Sequence, residues 1–241
     1  MKKALFILIG LFVLLAAVIF FYILSLGAPF DPEKSPYINM EPPKNLERTI
    51  YNAGAGHSTT FLRKSHETNG EYSLLAIELA PGGKNGPHYH NSFSETFIGL
   101  EGNTSVYING EIHNLNAGES AKAEMGDIHY FFNDSDETVR FQVKIEPGSP
   151  GFEKSLYILY GLINDGLIDE SGAPEDISHT AVFVVYSDTR TTGALSILNP
   201  IFSRLAGKAQ REGVESELIE TYYLSMIKEN ESSESEEEPA E

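Results

Sequence analysis

The sequence predicts a mainly β fold, a β-barrel that follows an N-terminal transmembrane helix and precedes a C-terminal helical extension. Three observations predict it: an uncharged apolar run near the N-terminus, a middle region of short strand-like runs between turn residues, and apolar residues at helical spacing after Pro147. Many short strands at close spacing are typical of a sandwich or a barrel. The predicted segments are 1–27 (transmembrane anchor or signal segment), 28–46 (extended linker), 47–148 (barrel), 149–228 (helical extension) and 229–241 (acidic disordered tail).

Residues 4–26 carry no charge and follow Lys2 and Lys3. At about 1.5 Å per residue, such a run is long enough as a helix to cross a bilayer. The positive-inside rule then places the N-terminus in the cytoplasm and the barrel outside the membrane. Small residues at 25–28 leave cleavage as a signal peptide, with a secreted or periplasmic product, as the alternative. The prolines of the linker indicate an extended spacer.

The barrel region contains seven runs that predict strands, and Asn109-Gly110 between two of them predicts a two-residue hairpin turn. The runs are 59–63, 72–79, 95–100, 105–108, 111–115, 129–133 and 138–145.

The extension predicts helices that pack on the outside of the barrel or close its mouth. A first helix is indicated by the helical spacing of Phe152, Leu156, Leu159 and Ile163. Residues 177–186 fit a helix or a strand equally well. A helix over 194–210 is expected to kink or break at Pro200, and 215–226 predicts a last helix.

Composition excludes several kinds of site. The chain has no cysteine, so it has no disulfide, thiolate metal ligand or cysteine nucleophile. Its net charge is −18, from 17 basic and 35 acidic residues, which argues against nucleic acid as a partner. Residues 229–241 contain seven glutamates and no lysine or arginine, so this tail is expected to be disordered and solvated.

Two stretches in the barrel region carry residues with metal-ligand chemistry. The first is Gly82-x5-His88-x-His90-x4-Glu95-x6-Gly102, and the second is Gly118-x5-Glu124-x-Gly126-x2-His129-x3-Asn133. On an extended segment His88 and His90 share one face, and a hairpin would bring Glu95 to the same interior. Three imidazoles and a carboxylate can hold a divalent transition metal with open coordination positions.

The two stretches resemble the motifs of the cupin superfamily, which are small jelly-roll β-barrels. The first motif matches at every fixed position, and the second departs at Glu124, where the family usually has proline. By position, the resemblance implies that His88, His90, Glu95 and His129 ligate a divalent Fe, Mn, Ni, Cu or Zn ion. It also favours a homodimer through edge strands. The remaining histidines, His57, His66, His113 and His179, are interpreted as ordinary packed or surface residues.

Phe93, Phe97 and Phe131 share strand parity with the ligands and predict an aromatic substrate pocket. Three hypotheses of function remain. The first is a metal-dependent enzyme for small molecules, such as a dioxygenase or an isomerase, with Glu95 as a catalytic base. The second is a non-catalytic barrel that senses or holds a small molecule, and the third is a scaffold for partners.

Overall fold

The six-stranded and three-stranded antiparallel sheets of the barrel pack against each other around one core. The computed structural model describes residues 2–54, 56–169 and 172–227, without the side chains of 2–9, 12, 15, 16, 194 and 195. The predicted acidic tail, 229–241, lies outside the described residues. The strands are β1 (Thr49–Asn52), β2 (His57–Arg63), β3 (Ser73–Leu79), β4 (Ser94–Glu101), β5 (Thr104–Ile108), β6 (Glu111–Leu115), β7 (Ser120–Ala123), β8 (His129–Phe132) and β9 (Val139–Glu146).

The larger sheet has the order β1-β2-β3-β9-β4-β7, and the smaller one has the order β6-β5-β8. Alternate side chains of the strands point inward, as the period of two requires. Phe61, Leu75, Val143 and Phe97 thereby form one buried row across four neighbouring strands. All seven predicted strands are present, within one or two residues at each end. The short strands β1 and β7, at the edges of the larger sheet, had no clear signal in the sequence.

Asn109 and Gly110 join β5 to β6 with φ of 48° and 104°. Both values lie in the left-handed region, which the hairpin turn of this type requires and which asparagine and glycine tolerate best. The predicted turn is therefore confirmed. The homodimer through edge strands stays a prediction.

The helices are α1 (Lys2–Ser25), α2 (Pro150–Asn164), α3 (Ile177–Tyr186), α4 (Asn199–Glu212) and α5 (Val214–Tyr222). Short 3-10 turns lie at Pro32–Lys34, Ser65–Thr68, Gly193–Leu198 and Leu224–Met226. Within the part of the chain described with side chains, no helix combines the length and the apolar character that a membrane crossing needs. The transmembrane anchor within 1–27 therefore stays a prediction.

The start of each C-terminal helix follows from local sequence. Ser149 caps α2, because its hydroxyl accepts a hydrogen bond from the Phe152 backbone N–H at 3.2 Å. Asp176 caps α3 in the same way through Ser178. Residues 177–186, whose sequence fitted a helix or a strand, are therefore helical. Pro200 stands in the first turn of α4, so the predicted interruption is a break between a 3-10 turn and a new helix.

The segment 28–46, for which the prolines indicated an extended spacer, packs on the helical extension. Gly207 of α4 lies directly beneath it, where a Cβ atom would come within 2.6 Å of the Pro29 carbonyl carbon. The Arg211 guanidinium donates to the Ala28 carbonyl at 3.0 Å, and the Lys154 ammonium donates to the Met40 carbonyl at 2.9 Å. The proline-rich backbone leaves its carbonyl oxygens free to accept hydrogen bonds. These contacts hold the segment against the helical extension.

A bidentate ion pair ties the start of the barrel to the turn after β2. The two terminal guanidinium nitrogens of Arg48 each lie 2.8 Å from the Glu67 carboxylate, which also accepts from the Lys64 backbone N–H at 2.7 Å. The Arg48 hydrogen bonds lower the pKa of Glu67 from 4.5 to about 2. This geometry is the kind in which a surface pair contributes measurably.

Glu67→Gln is expected to lower the free energy of unfolding by about 1 kcal/mol at pH 7, after allowance for solvent screening of the half-exposed pair. The pKa is lower in the folded state, so the stabilisation is present above about pH 4.5 and disappears as the pH falls toward 2. Chemical denaturation at several pH values measures this, with Glu71→Gln on the exposed turn as control. An equal difference between parent and variant at pH 7 and pH 3 would contradict the expectation.

Candidate metal centre

The structure brings the four predicted ligands together. One ligand atom from each of His88, His90, Glu95 and His129 lies within 4.8 Å of the others. Metal bonds of about 2.1 Å place two ligand atoms no more than about 4.2 Å apart, so a small contraction of the cluster would suffice. Glu95 and His129 are almost fully buried, and the His129 Nε2 atom lies 3.0 Å from the Glu95 carboxylate.

The backbone that holds these residues differs from the predicted hairpin. His88 pairs with His129 rather than with β4: the His88 N–H donates to the His129 carbonyl at 3.1 Å, and the reverse bond measures 2.8 Å. Glu95 lies on β4, where it faces Ala123 of β7 and Ile145 of β9. The ligands therefore come from both sheets and the loop between β3 and β4.

Each histidine ring is oriented by a backbone carbonyl at its outer nitrogen. The Nδ1 atoms of His88, His129 and His90 lie 2.7, 2.8 and 3.3 Å from the carbonyl oxygens of Gly86, Asp127 and Asp188, respectively. A carbonyl only accepts, so each Nδ1 carries a proton, and the Nε2 atoms of the neutral His88 and His90 rings present a lone pair. The His129 Nε2 atom instead donates to the Glu95 carboxylate at 3.0 Å, and it becomes a ligand only when a metal replaces that proton.

The charges of the cluster also suit a cation. Burial and the neighbouring His90 and His129 rings lower the pKa of His88 to about 3, and burial lowers the pKa of His90. Burial alone would raise the pKa of Glu95, but the three imidazoles lower it to about 2. Although burial opposes it, the Glu95 carboxylate raises the pKa of His129. At neutral pH the cluster thus offers two neutral imidazoles beside an ionised carboxylate.

The donor atoms of the four side chains suit a metal ion. The Nε2 atom of His90 is buried and has no hydrogen-bond partner, which is a costly arrangement unless another group satisfies it. Three imidazole nitrogens and one carboxylate oxygen suit Fe, Mn, Ni, Cu or Zn more than Ca or Mg. The residues present therefore fit a divalent transition metal.

The predicted aromatic pocket divides into two parts. Phe131 lines a cavity of about 520 Å³, which also reaches His88 and Glu95. Phe93 and Phe97 are fully buried and pack on the ligands instead: the Phe93 ring stacks on His90 at 4.3 Å, and the Phe97 ring lies 5.9 Å from His129. They brace the histidine rings and are not part of the described cavity wall.

The far wall of the cavity is helix α2. Its apolar stripe, which predicted the helix, faces the cavity, so α2 forms one of the cavity walls. The stripe consists of Phe152, Leu156, Leu159 and Ile163. Closure of the barrel mouth by the extension stays a prediction.

Asp188 links the helical extension to the metal centre, and nothing in the sequence marked it. One oxygen of its carboxylate accepts three hydrogen bonds of 2.8 Å, from the Asn91 and Ser92 backbone N–H groups and the Ser92 hydroxyl. Its own carbonyl orients His90. Next to it, Arg190 and Tyr89 exchange two backbone hydrogen bonds. The turn between His90 and Glu95 is thus held by a residue far away in the sequence.

Residues 75–145 match the Cupin domain family model. This segment of the chain is similar to a cupin domain. The matched residues run from β3 to β9 and contain both motifs. The predicted cupin fold and the C-terminal helical region are therefore confirmed. No curated protein matches the chain.

Three solved structures are similar to part of this chain. A predicted oxalate decarboxylase from Thermotoga maritima is 20% identical over 47% of this chain and 96% of its own, with a TM-score of 0.37. An RmlC-like cupin from Shewanella frigidimarina is 21% identical over 46% and 91%, with a TM-score of 0.36. A sugar phosphate isomerase from Silicibacter pomeroyi, of the cupin superfamily, is 23% identical over 37% and 59%, with a TM-score of 0.34.

Proposed function

We propose that the cupin domain is a metal-dependent enzyme for a small, largely apolar organic molecule. One observation carries the proposal: three imidazole nitrogens and a carboxylate converge at the wall of a mainly apolar cavity that α2 also lines. His88 and Glu95 both line this cavity, so a molecule inside it meets the proposed metal centre directly. The volume of about 520 Å³ is typical of small-molecule sites.

His88, His90 and His129 would hold the ion through Nε2, and Glu95 would hold it through one carboxylate oxygen. Such an ion supplies Lewis acidity and, when it is redox-active, a route to oxygen chemistry. The carbonyls of Gly86, Asp127 and Asp188 keep the imidazoles in the ligating tautomer. The apolar side chains of α2 exclude water and strengthen every polar interaction at the centre.

Glu95 was predicted both as a ligand and as a catalytic base. A carboxyl group with a pKa of about 2 is a weak base near neutral pH. The shift arises from the three surrounding imidazoles, which are the other proposed ligands. We therefore favour the ligand role, in which a permanently ionised carboxylate is an advantage.

A second candidate is a non-catalytic barrel that binds a small molecule. One observation favours it: on the described wall of the cavity, the carboxyl and imidazole groups with shifted pKa values all titrate far below neutral pH. The pKa of His57 is about 4, that of His88 is about 3 and that of Glu95 is about 2. A general acid or base works best when its pKa is near the working pH.

Elemental analysis of the full chain, purified without chelator or added metal, tests the metal centre. About one equivalent of a transition metal is expected in the parent, and none in His88→Ala/His129→Ala. A parent that holds no metal and takes up none on reconstitution would contradict the proposal. With the metal known, oxygen uptake and mass spectrometry of added ligands separate the enzyme, which changes its ligand, from the binding barrel, which releases it unchanged.

We also propose that residues 1–27 anchor the chain in a membrane, with the cupin domain on the outer side. The support is the uncharged run 4–26 and the two lysines before it. In membrane vesicles of known orientation, alkaline carbonate should leave the chain in the pellet, and protease should reach the domain only from the outer face. Release into the supernatant would instead indicate a cleaved segment.

A further inference from the structure

The cavity at the metal centre is long, and its long axis follows helix α2. Phe152 and Ile163, at the two ends of the apolar stripe, both line this one cavity. Ile163 follows Phe152 by eleven residues, which corresponds to about 16 Å along a helix. The Phe152 ring lies beside the metal centre, with its centroid 5.9 Å from that of His90. At the other end, a Cβ atom on Gly54 would lie 3.1 Å from the Ile163 Cγ2 atom.

The stripe is the part of α2 that packing inside the protein leaves uncovered. All four of its residues keep a partly exposed side chain. The other residues of α2 between them are buried, apart from Gly161. Apolar side chains that line a cavity and remain uncovered are typical of a small-molecule site. The stripe therefore offers apolar surface to a ligand along its full length.

The larger sheet contributes an aliphatic wall to the same cavity. This wall consists of Leu75 and Ile77 of β3 and Val143 of β9. The two strands are neighbours in the sheet, and Leu75 pairs directly with Val143. A molecule between this wall and the stripe would contact hydrocarbon on both sides. Such surroundings favour aliphatic groups over polar ones, which would lose their hydrogen bonds to water.

The acidic and basic side chains of the described cavity wall belong to the segments that form the metal centre. Apart from the histidines they are Glu95, which is a proposed ligand, and Lys84. Lys84 stands at the start of the segment that bridges to β8 and leads to His88. The polar part of a substrate is therefore expected at this side of the cavity.

The end of the cavity near Ile163 carries no ionised group. The Tyr160 hydroxyl lies 2.6 Å from the His57 Nε2 atom and 2.9 Å from the Thr59 hydroxyl, so these polar groups bond with one another. Burial lowers the pKa of His57 to about 4, and its ring is therefore neutral at pH 7. The end of an aliphatic chain can lie there without leaving a charge unpaired.

We propose that the substrate carries an extended aliphatic chain of about twelve carbons, which lies along the stripe of α2 with its polar head group at the metal centre. Twelve carbons extend over about 14 Å, at about 1.25 Å for each carbon–carbon bond of an extended chain. This length fits between Phe152 and Ile163. The position of the head group rests on the proposed function, but the binding of the chain does not.

Hexan-1-ol and dodecan-1-ol test the chain with a variant that shortens the cavity, Leu159→Trp. Their affinities for the full chain are measured by calorimetry in one detergent, so that partition into micelles cancels when variants are compared. The indole should fill the middle of the cavity. Leu159→Trp is therefore expected to bind hexan-1-ol within about twofold of the parent. Dodecan-1-ol should bind at least about tenfold more weakly, since each excluded methylene costs about three- to fourfold.

The control is Ile177→Trp, at an exposed position of α3 outside the described cavity wall. It should match the parent for both alcohols. Near-ultraviolet circular dichroism confirms that each tryptophan variant keeps its tertiary packing. In a folded Leu159→Trp, an equal effect on the two alcohols, or no effect on either, would overturn the inference. So would a parent that binds neither of them.

Photolabelling of the parent tests the same inference without a substitution. Dodecan-1-ol with a diazirine at its far end should form adducts near Ile163 and Gly54. The same alcohol with the diazirine beside the hydroxyl should form them near Phe152 and His88. Excess dodecan-1-ol should suppress both sets of adducts, which are located by mass spectrometry. Adducts that avoid the cavity wall would overturn the inference, and exchanged positions of the two sets would overturn the orientation of the chain.

The variant His88→Ala/His129→Ala separates this inference from the proposed metal chemistry. It should lose its metal and still bind dodecan-1-ol within about threefold of the parent, because most of the chain contacts α2 and the larger sheet. Loss of dodecan-1-ol binding in this variant would show that the metal centre holds the alcohol, and would overturn the inference. A parent that holds a metal and gives no adducts in the cavity would contradict the chain and leave the metal centre standing.

Discussion

Replacement of His129 by alanine is expected to abolish metal binding and to lower the free energy of unfolding of the metal-free protein by about 3 kcal/mol. Metal binding is lost because the substitution removes one of the four proposed ligands. The second effect arises because His129 is the ion-pair partner of Glu95, at 3.0 Å, and both side chains are buried. Without the imidazole, the Glu95 carboxylate is left as a buried charge with a weaker partner, His90, at 3.8 Å.

A double-mutant cycle measures this coupling. Metal-free His129→Ala, Glu95→Gln and the double variant are unfolded in denaturant at pH 7, with His66→Ala on the exposed turn as control. The double variant should be more stable than the sum of the single changes implies, because no isolated charge remains. Additive effects of the two substitutions, or an unchanged stability of His129→Ala, would show that the pair does not exist in the metal-free protein.

Replacement of Asp188 by alanine is expected to weaken metal binding by about 10- to 100-fold, although Asp188 is not a ligand. Its carboxylate holds the turn between two ligands through three hydrogen bonds, and its carbonyl orients His90. When the carboxylate is removed, the turn at Asn91 and Ser92 is free to move. His90 and Glu95 then lose their mutual position.

Zinc affinity, measured by competition with a chromophoric chelator, tests this prediction. Asp188 has φ of 49°, so alanine also introduces backbone strain. This strain is unrelated to the three hydrogen bonds of the Asp188 carboxylate, which we call the Asp188 clamp. Asp188→Gly removes the carboxylate without that strain and should weaken zinc binding as much as alanine does. Asp188→Asn keeps one acceptor and should weaken it less. Full zinc affinity in Asp188→Gly would contradict the role of the Asp188 clamp. Asp136→Ala, on an exposed loop, serves as control.

The strands and the cluster of three histidines and a glutamate could be predicted because their information is local. A period of two identifies a strand within five to seven residues, and each motif places its ligands on one short stretch. The helix α2 could be predicted for a similar reason. Its apolar stripe did not tell whether it faced a core or a cavity, because both surroundings select the same side chains.

The remaining features depend on contacts between distant parts of the chain. His57 bonds to Tyr160, which lies 103 residues later and joins it only in the folded protein. Asp188 lies 98 residues after the ring it supports. No periodicity or spacing rule reaches so far. The prolines of 28–46 indicated an extended backbone but could not show that α4 offers a glycine surface on which it packs.

The packing of residues 28–46 on the helical extension also determines which fragments of this protein can keep the fold. Leu46, at its end, forms a β-bridge with Ile227, the last described residue, so the two ends of the folded body meet. A fragment chosen to match the Cupin domain model, 75–145, would lose β1, β2, α2 and the Asp188 clamp. A fragment from about residue 28 to 227 keeps all of these contacts, and we expect shorter fragments to report on a damaged barrel.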